Sequence, residues 1–314
     1  MTATVAGDAR RPTGLASRLR DSFHLRHYAL LTVIATYTLI VVGGVVRSTN
    51  SGTACPDWPL CHGQIVPPAE TKVWIEFTHR LVASAVGFLI LGLVFTAWRR
   101  YKDDATMRRA AVAAGVILGI QVLVGGATVG TETAAGVVAI HLTIALSLIS
   151  TLIYITTRLF RDGVVTSAAE VLPIVVALGV FALIISGAFV SQRNAGLAYP
   201  DWPLFDGKVT PADSEAGYLH YGHRFVAGIA ALLMVWLWIK GVRVGSPGIV
   251  IWGLTVALLL FVAQVLLGAA NVWLDLATSV RILHLALASA VWAVLVFTMT
   301  SAWQNGLHVA KGTP

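Results

Sequence analysis

The sequence predicts an all-α integral membrane protein with eight transmembrane helices, arranged as two tandem four-helix bundles with pseudo-two-fold symmetry along the membrane normal. Three observations predict it. The chain has 314 residues, 57% hydrophobic and 12% charged, with a mean hydropathy of +0.78, far from the balance of a water-soluble domain. Eight of its apolar stretches are long enough to cross a hydrocarbon core of about 30 Å as helices. The chain also repeats itself. An offset of 144 lays NSGTACPDWPLC (50–61) over NAGLAYPDWPLF (194–205), with Pro-Asp-Trp-Pro-Leu identical in both.

The apolar stretches run over 28–46, 73–97, 110–129, 137–157, 170–190, 217–239, 248–272 and 279–302. Each repeat holds four, an even number, so both copies enter the membrane in the same direction and are related by an axis along its normal. The predicted division is a basic tail over 1–27, an N-terminal bundle over 28–158, an inner linker over 159–169, a C-terminal bundle over 170–302 and a tail over 303–314. Long loops, 48–72 and 191–216, join the first two spans of each half and carry Pro, Gly, Asp and Trp. Loops of that length are usually functional or disordered. The repeated Asp-Trp-Pro predicts order, with Trp58 and Trp202 suited to the interfacial belt. Elsewhere the hairpins are tight, at 130–136 and 273–278.

Lys and Arg set the orientation. With the N-terminus inside, fifteen of the 22 lie on the inner side (Arg10, Arg11, Arg18, Arg20, Arg26, Arg99, Arg100, Lys102, Arg108, Arg109, Arg158, Arg161, Lys240, Arg243, Lys311). Seven lie outside (Arg47, Lys72, Arg80, Arg193, Lys208, Arg224, Arg281). The expectation is a multi-pass protein of the cell membrane with both termini cytoplasmic. The formal +7 charge is then a topology signal, and no nucleic-acid partner is called for. No short h-region with a small-residue cleavage site precedes the first span, which is expected to be retained. The two cysteines, Cys55 and Cys61, share the first outer loop. Facing an oxidising compartment they are expected to form a disulfide, the alternative being free, buried or metal-binding thiols.

Four histidines carry the chemistry. His79, His141, His223 and His284 lie within one to two turns of the outer ends of the second and fourth spans of each half. The offset of 144 relates His79 to His223, and a shift of one residue relates His141 to His284 and Gln121 to Gln264. An ionisable group in a membrane helix points to function by default, because an unpaired polar group in hydrocarbon costs several kcal/mol. Across a bundle, His79 can face His141 and His223 can face His284, each pair supplying the two axial ligands of a b-type heme. A single histidine would sooner be satisfied by a carbonyl. Four at one depth on duplicated helices favour metal, and the absence of a thiolate or carboxylate quartet favours heme over zinc. Arg80 and Arg224 follow the first ligands and are candidates to pair with heme propionates, or to snorkel to the interface. His62, beside Cys61, is a weaker candidate for the outer site, and His24, His27 and His308 fall outside the pattern.

The halves differ where it matters. Glu76 of the first half becomes His220 in the second, and Cys55 and Cys61 become Tyr199 and Phe205. Glu76 and His79 share a helix face at i, i+3, so the carboxylate lies beside any porphyrin held by His79. There it can accept a proton or stabilise positive charge; alternatively it pairs with Lys72 or Arg80. Chemistry is therefore expected in the first half.

Eight spans in two halves, E-x-x-H-R at Glu76–Arg80, His141, His223 and His284, and the cysteine pair of the first outer loop together resemble the heme A synthase family, over about residues 28–302. The resemblance implies an oxidoreductase of cytochrome oxidase assembly. Such an enzyme oxidises a ring methyl of heme O to a formyl group through hydroxylated intermediates. It implies that His79 and His141 hold the substrate heme, with Glu76 as catalytic carboxylate, while His223 and His284 hold a stable heme B. It also associates the cysteine pair with a redox-active or structural disulfide on the outer face. Expected partners are heme O, membrane lipid, a heme O synthase and an electron acceptor outside. Two other classes compete. A di-heme b-type electron-transfer protein of quinol or ferric reductase type explains the histidines but not the Glu76/His220 asymmetry. A transporter would use Gln121, Gln264, Asn271, Gly125, Gly126 and Gly268 as a path, although small residues in lipid are more often packing contacts.

Overall fold

The computed structural model describes residues 15–160, 171–209 and 214–305. Eight helices fill it: α1 (Leu15–Ser48), α2 (Thr71–Arg100), α3 (Ala105–Gly130), α4 (Ala135–Phe160), α5 (Val171–Gln192), α6 (Glu215–Arg243), α7 (Gly248–Trp273) and α8 (Thr278–Asn305). All eight are long and apolar enough to cross a membrane, so the chain is an all-α multi-pass membrane protein. Parts of the expected tails and linker, with Arg10, Arg11, Arg161, His308 and Lys311, lie outside the described residues. The helices overrun the apolar stretches, most clearly α1, which begins at Leu15 and not at 28. Hydropathy marks the segment in lipid; the helical hydrogen-bond ladder continues into water wherever no breaker intervenes.

Local chemistry sets the ends. Asp104 caps α3 by accepting from the backbone N–H of Thr106 and Met107 at 3.1 and 3.0 Å, and Ser214 caps α6 through Gly217 N–H at 3.0 Å. Asp104 also takes Arg158 of α4 at 2.8 Å, which latches the start of α3 to the end of α4. Within the spans, hydroxyls return to carbonyls one turn back, as Thr32 does to Tyr28 at 2.8 Å and Thr143 to Ala139 at 2.8 Å. Their donors are thus satisfied without water.

The helices pack in two rings. α1 lies on α2, α2 on α3, α3 on α4 and α4 back on α1; α5 to α8 repeat the circuit. The first ring encloses a core that includes Ala29, Ile90, Leu93, Ala111 and Leu152. The second encloses Val180, Met234, Ala257, Phe261 and Leu295, and draws in Leu146, Ile149 and Ile153 of α4. The rings meet where α4 packs on α8, with α1 on α8 matched by α5 on α4, the pattern that a two-fold axis along the normal would give.

Polar contacts stitch this seam. Trp292 Nε1 donates to the Leu146 carbonyl at 3.2 Å and the Ser150 hydroxyl at 2.9 Å, and the Tyr37 hydroxyl reaches the Ala286 carbonyl at 3.0 Å. Interhelical hydrogen bonds of this kind contribute about 0.6 to 2 kcal/mol each in lipid. Two contacts join positions equivalent in the repeat: Arg47 Nη2 donates to the Ser191 carbonyl at 2.8 Å, and the Thr300 hydroxyl meets that of Thr157 at 3.4 Å.

Candidate functional site

The loops between α1 and α2 and between α5 and α6 share one design. Asp57 accepts the backbone N–H groups of His62 and Gly63 at 2.6 and 2.7 Å, and Asp201 accepts those of Asp206 and Gly207 at 2.7 and 2.9 Å. Each carboxylate closes a turn whose two donor residues have positive φ (His62 56°, Gly63 67°; Asp206 57°, Gly207 71°). These N–H donors, led by Gly63 for Asp57 and Gly207 for Asp201, hold both carboxyls below the usual Asp range. Both Trp-Pro bonds, Trp58–Pro59 and Trp202–Pro203, are cis. Cys55 and Cys61 are disulfide-bonded and fully buried. In the second loop Tyr199 and Phe205 replace them with an edge-to-face ring pair, centroids 5.0 Å apart.

An arginine of the following helix clasps each loop. Arg80 Nη1 donates to the carbonyls of Asp57 (2.6 Å) and Leu60 (2.7 Å), Nη2 to that of Cys55 (3.2 Å), and Nε to Glu76 Oε1 (3.0 Å). Arg224 Nη1 donates to the carbonyls of Asp201 (3.0 Å) and Leu204 (2.9 Å), and Nε to His220 Nε2 (3.0 Å). Glu76 and His220 are both buried, so His220 is the second half's neutral replacement for the carboxylate. Four of the five N–H donors of Arg80 are engaged, whereas Arg224 Nη2 is buried without a protein partner. Neither arginine snorkels freely. His62 belongs to the loop, its Nε2 3.0 Å from the Ala54 carbonyl.

Beneath the clasps lie the four histidines, His79 on α2, His141 on α4, His223 on α6 and His284 on α8. α2 and α4 stand diagonally in their ring with no Cα pair within 8 Å, as do α6 and α8. Each imidazole lies against a glycine of the preceding helix. A Cβ built on Gly43 would sit 3.4 Å from Cε1 of His79, on Gly125 3.2 Å from that of His141, on Gly187 3.0 Å from that of His223 and on Gly268 3.4 Å from that of His284. At Gly187 and Gly125 a Cβ would press on the ring, which would have to give by a few tenths of an ångström, whereas at Gly43 and Gly268 it would make an ordinary van der Waals contact.

Nδ1 of His79, His141 and His284 is buried without a protein partner. His141 Nε2 lies 3.2 Å from the Gln121 amide nitrogen, an N–H donor, which makes Nε2 the lone-pair nitrogen. Oε1 of both Gln121 and Gln264 is likewise buried without a partner. Among the described residues no three His, Cys, Asp or Glu side chains converge as a metal cage. Single imidazoles on diagonal helices, each seated against a glycine of the preceding helix, fit axial ligation of heme. An open groove of about 570 Å³ lies between α1 and α2, lined by Val42, Val45, Trp74, Ile75 and Thr78.

The chain matches known proteins along most of its length. The profile of the cytochrome oxidase assembly proteins, COX15-CtaA, matches residues 26–296. The chain belongs to the COX15-CtaA family. Curated relatives of this family member include the heme A synthase of Alkalihalophilus pseudofirmus, 28% identical over 285 residues, covering 87% of this chain and 95% of that one. The heme A synthases of Shouchella clausii (30% over 288 residues, 87% and 95%) and Geobacillus kaustophilus (30% over 290 residues, 88% and 91%) are similar to it to the same degree.

Several residues of this COX15-CtaA member escaped the sequence reading. The ring-seating glycines look like ordinary small residues of membrane helices, and the arginine clasps depend on partners 20 to 25 residues away. Ser186, 2.8 Å from His223 Nδ1, left a visible signal: at the offset of 144 it is a hydroxyl where the first half has Val42.

Proposed function

We propose that this chain is a heme A synthase, a membrane oxidoreductase that oxidises a ring methyl of heme O to a formyl group. The observation that carries the reading is one buried carboxylate, Glu76, one turn from a candidate ligand in the first half only, with His220 in its place in the second. Family membership over residues 26–296 and the names of the relatives support it. A di-heme electron-transfer protein needs no such difference.

In this reading the N-terminal half, 28–158, binds heme O through His79 and His141, and the C-terminal half, 170–302, holds heme B through His223 and His284. Heme B, when bound, supplies one-electron redox chemistry that carries electrons towards an acceptor outside. Arg80 holds Glu76 in place, and Glu76 takes up a proton released as the methyl is oxidised. The clasped outer loop shields the site from bulk water. Arg224 Nη2, a buried donor without a protein partner, is the group placed to meet a heme propionate; Arg80 serves its loop first. The protein works in the cell membrane with both termini cytoplasmic and both sites towards the outer face, and its insoluble substrate arrives laterally from a heme O synthase.

Mass spectrometry of hemes extracted from protein purified out of cells that make heme O tests the reading. Heme B together with heme O, a hydroxylated heme or heme A is the expected result. Heme B alone, unchanged on incubation with heme O, would return the chain to the electron-transfer class.

A further inference from the structure

The four candidate ligands are not held alike. The Ser186 hydroxyl donates to the Leu183 carbonyl, one turn back on α5, at 2.8 Å. With its proton turned to that carbonyl, the Ser186 oxygen, 2.8 Å from His223 Nδ1, can accept from Nδ1–H. A His223 that ligates through Nε2 carries its proton on Nδ1, and Ser186 is the partner placed to receive it. Gly187, the next residue, lets the ring lie close, a Cβ there meeting Cε1 at 3.0 Å. α5 thus seats His223 by two adjacent residues, one giving room and one giving a hydrogen bond.

The first half keeps the room and loses the bond. Gly43 is the equivalent of Gly187, but Val42 stands where Ser186 does, and His79 Nδ1 is buried with no protein partner. Val42 also lines the open groove of about 570 Å³ between α1 and α2. A ligating histidine whose second nitrogen donates a hydrogen bond is oriented and made more basic, and losing that partner typically costs 10- to 100-fold in metal affinity.

From this difference we infer that Ser186 is a positioning residue that makes the C-terminal half retain its heme, and that Val42 leaves His79 the releasable ligand, so that the N-terminal half exchanges substrate for product. The inference rests on reading the four histidines as heme ligands. It assigns retention and turnover to one hydroxyl present in one copy of a duplicated helix.

The test uses the full chain, purified with its hemes, in Ser186→Ala, Ser186→Thr, Val42→Ser and His223→Ala variants. Two quantities are read: the rate at which each half loses heme to excess apomyoglobin, and the midpoint potential of the C-terminal heme. S186A is expected to speed loss from the C-terminal half by about 10- to 100-fold and to shift its potential positive, as a less basic ligand stabilises the ferric state less. S186T, which keeps the hydroxyl, restores both. V42S is expected to slow loss from the N-terminal half, and decides the matter should S186A fail to accumulate. Unchanged rates and potential in S186A, or an unchanged rate in V42S, overturn the inference. If H223A empties the C-terminal half while S186A changes nothing, the ligand reading stands and the inference alone falls; if H223A keeps its full heme complement, both fall.

Discussion

Arg80 Nε donates to Glu76 Oε1 across 3.0 Å, one turn along α2, while the same guanidinium grips three carbonyls of the loop between α1 and α2. The candidate catalytic carboxylate and the lid over it are thus held by one side chain. Glu76→Gln keeps shape and removes the charge, so heme A formation should fall by at least about 100-fold with bound heme intact. Arg80→Met should lower activity and also open the loop to proteolysis. Wild-type heme A levels in E76Q would refute the assignment of Glu76.

The two halves should fail separately. Changing His79 or His141 to Ala is expected to deplete heme O and its products, and changing His223 or His284 to deplete heme B, as read by heme analysis of each purified variant. Loss of one and the same heme in all four would refute the partition.

The glycines predict a ranking. A Cβ must be accommodated at 3.0 Å from the ring at Gly187, 3.2 Å at Gly125 and 3.4 Å at Gly43 and Gly268. Glycine-to-alanine changes should therefore weaken heme binding most at 187, by about tenfold, less at 125 and least at 43 and 268. Low-spin EPR signals, which follow the orientation of the imidazole planes, should shift in the same order. An inverted order would show that these glycines serve only helix packing.

The disulfide closes a short stretch, six residues apart in sequence, and its counterpart pair, Tyr199 and Phe205, holds the second loop by ring packing. A structural role follows. Cys55→Ser with Cys61→Ser should lower thermal stability by about 2 kcal/mol and leave turnover with a chemical electron acceptor within about twofold. Complete loss of turnover with an unchanged melting point would point to thiol–disulfide cycling.

The turns at Asp57 and Asp201 are expected to resist acid. Their folded-state carboxyls lie below the ordinary value of 3.8, so the contribution of each ion is fully present above that value. It is lost only as pH falls through the depressed one. Protease nicking of the loops should be flat from pH 7 to about 4 and rise only in stronger acid. Asp57→Asn should bring the rise to neutral pH.

Much of this was legible in one dimension because lipid simplifies the code. A span must be apolar for its length, and an imidazole within it stands out, so eight helices and four histidines could be read directly. The duplication then pointed to Glu76, because His220 occupies its place. Contacts that close over distance were hidden. Nothing in the sequence marks Arg80 as the clasp of a loop some 20 residues earlier, or tells Gly125 from any small residue that lets helices approach. α1 outruns its apolar stretch because water sets no hydropathy limit on a helix leaving the membrane. Ser186 is legible only by comparison, since one hydroxyl in an apolar helix carries no signal until Val42 of the other copy is laid beside it.

At two places the chain touches its own counterpart, Arg47 at Ser191 and Thr157 at Thr300. Such contacts lie where an axis relating two copies would pass, and in a dimer of identical subunits residues there must be compatible with themselves. Threonine is, since one hydroxyl donates while the other accepts. Arginine is not, because two guanidiniums would meet. Joining the copies in one chain lifts the requirement: a cation on one side can face an uncharged neighbour on the other. Covalent fusion therefore permits more than a fixed stoichiometry. It lets sites with a common scaffold diverge, so that one half can bind tightly while the other lets go.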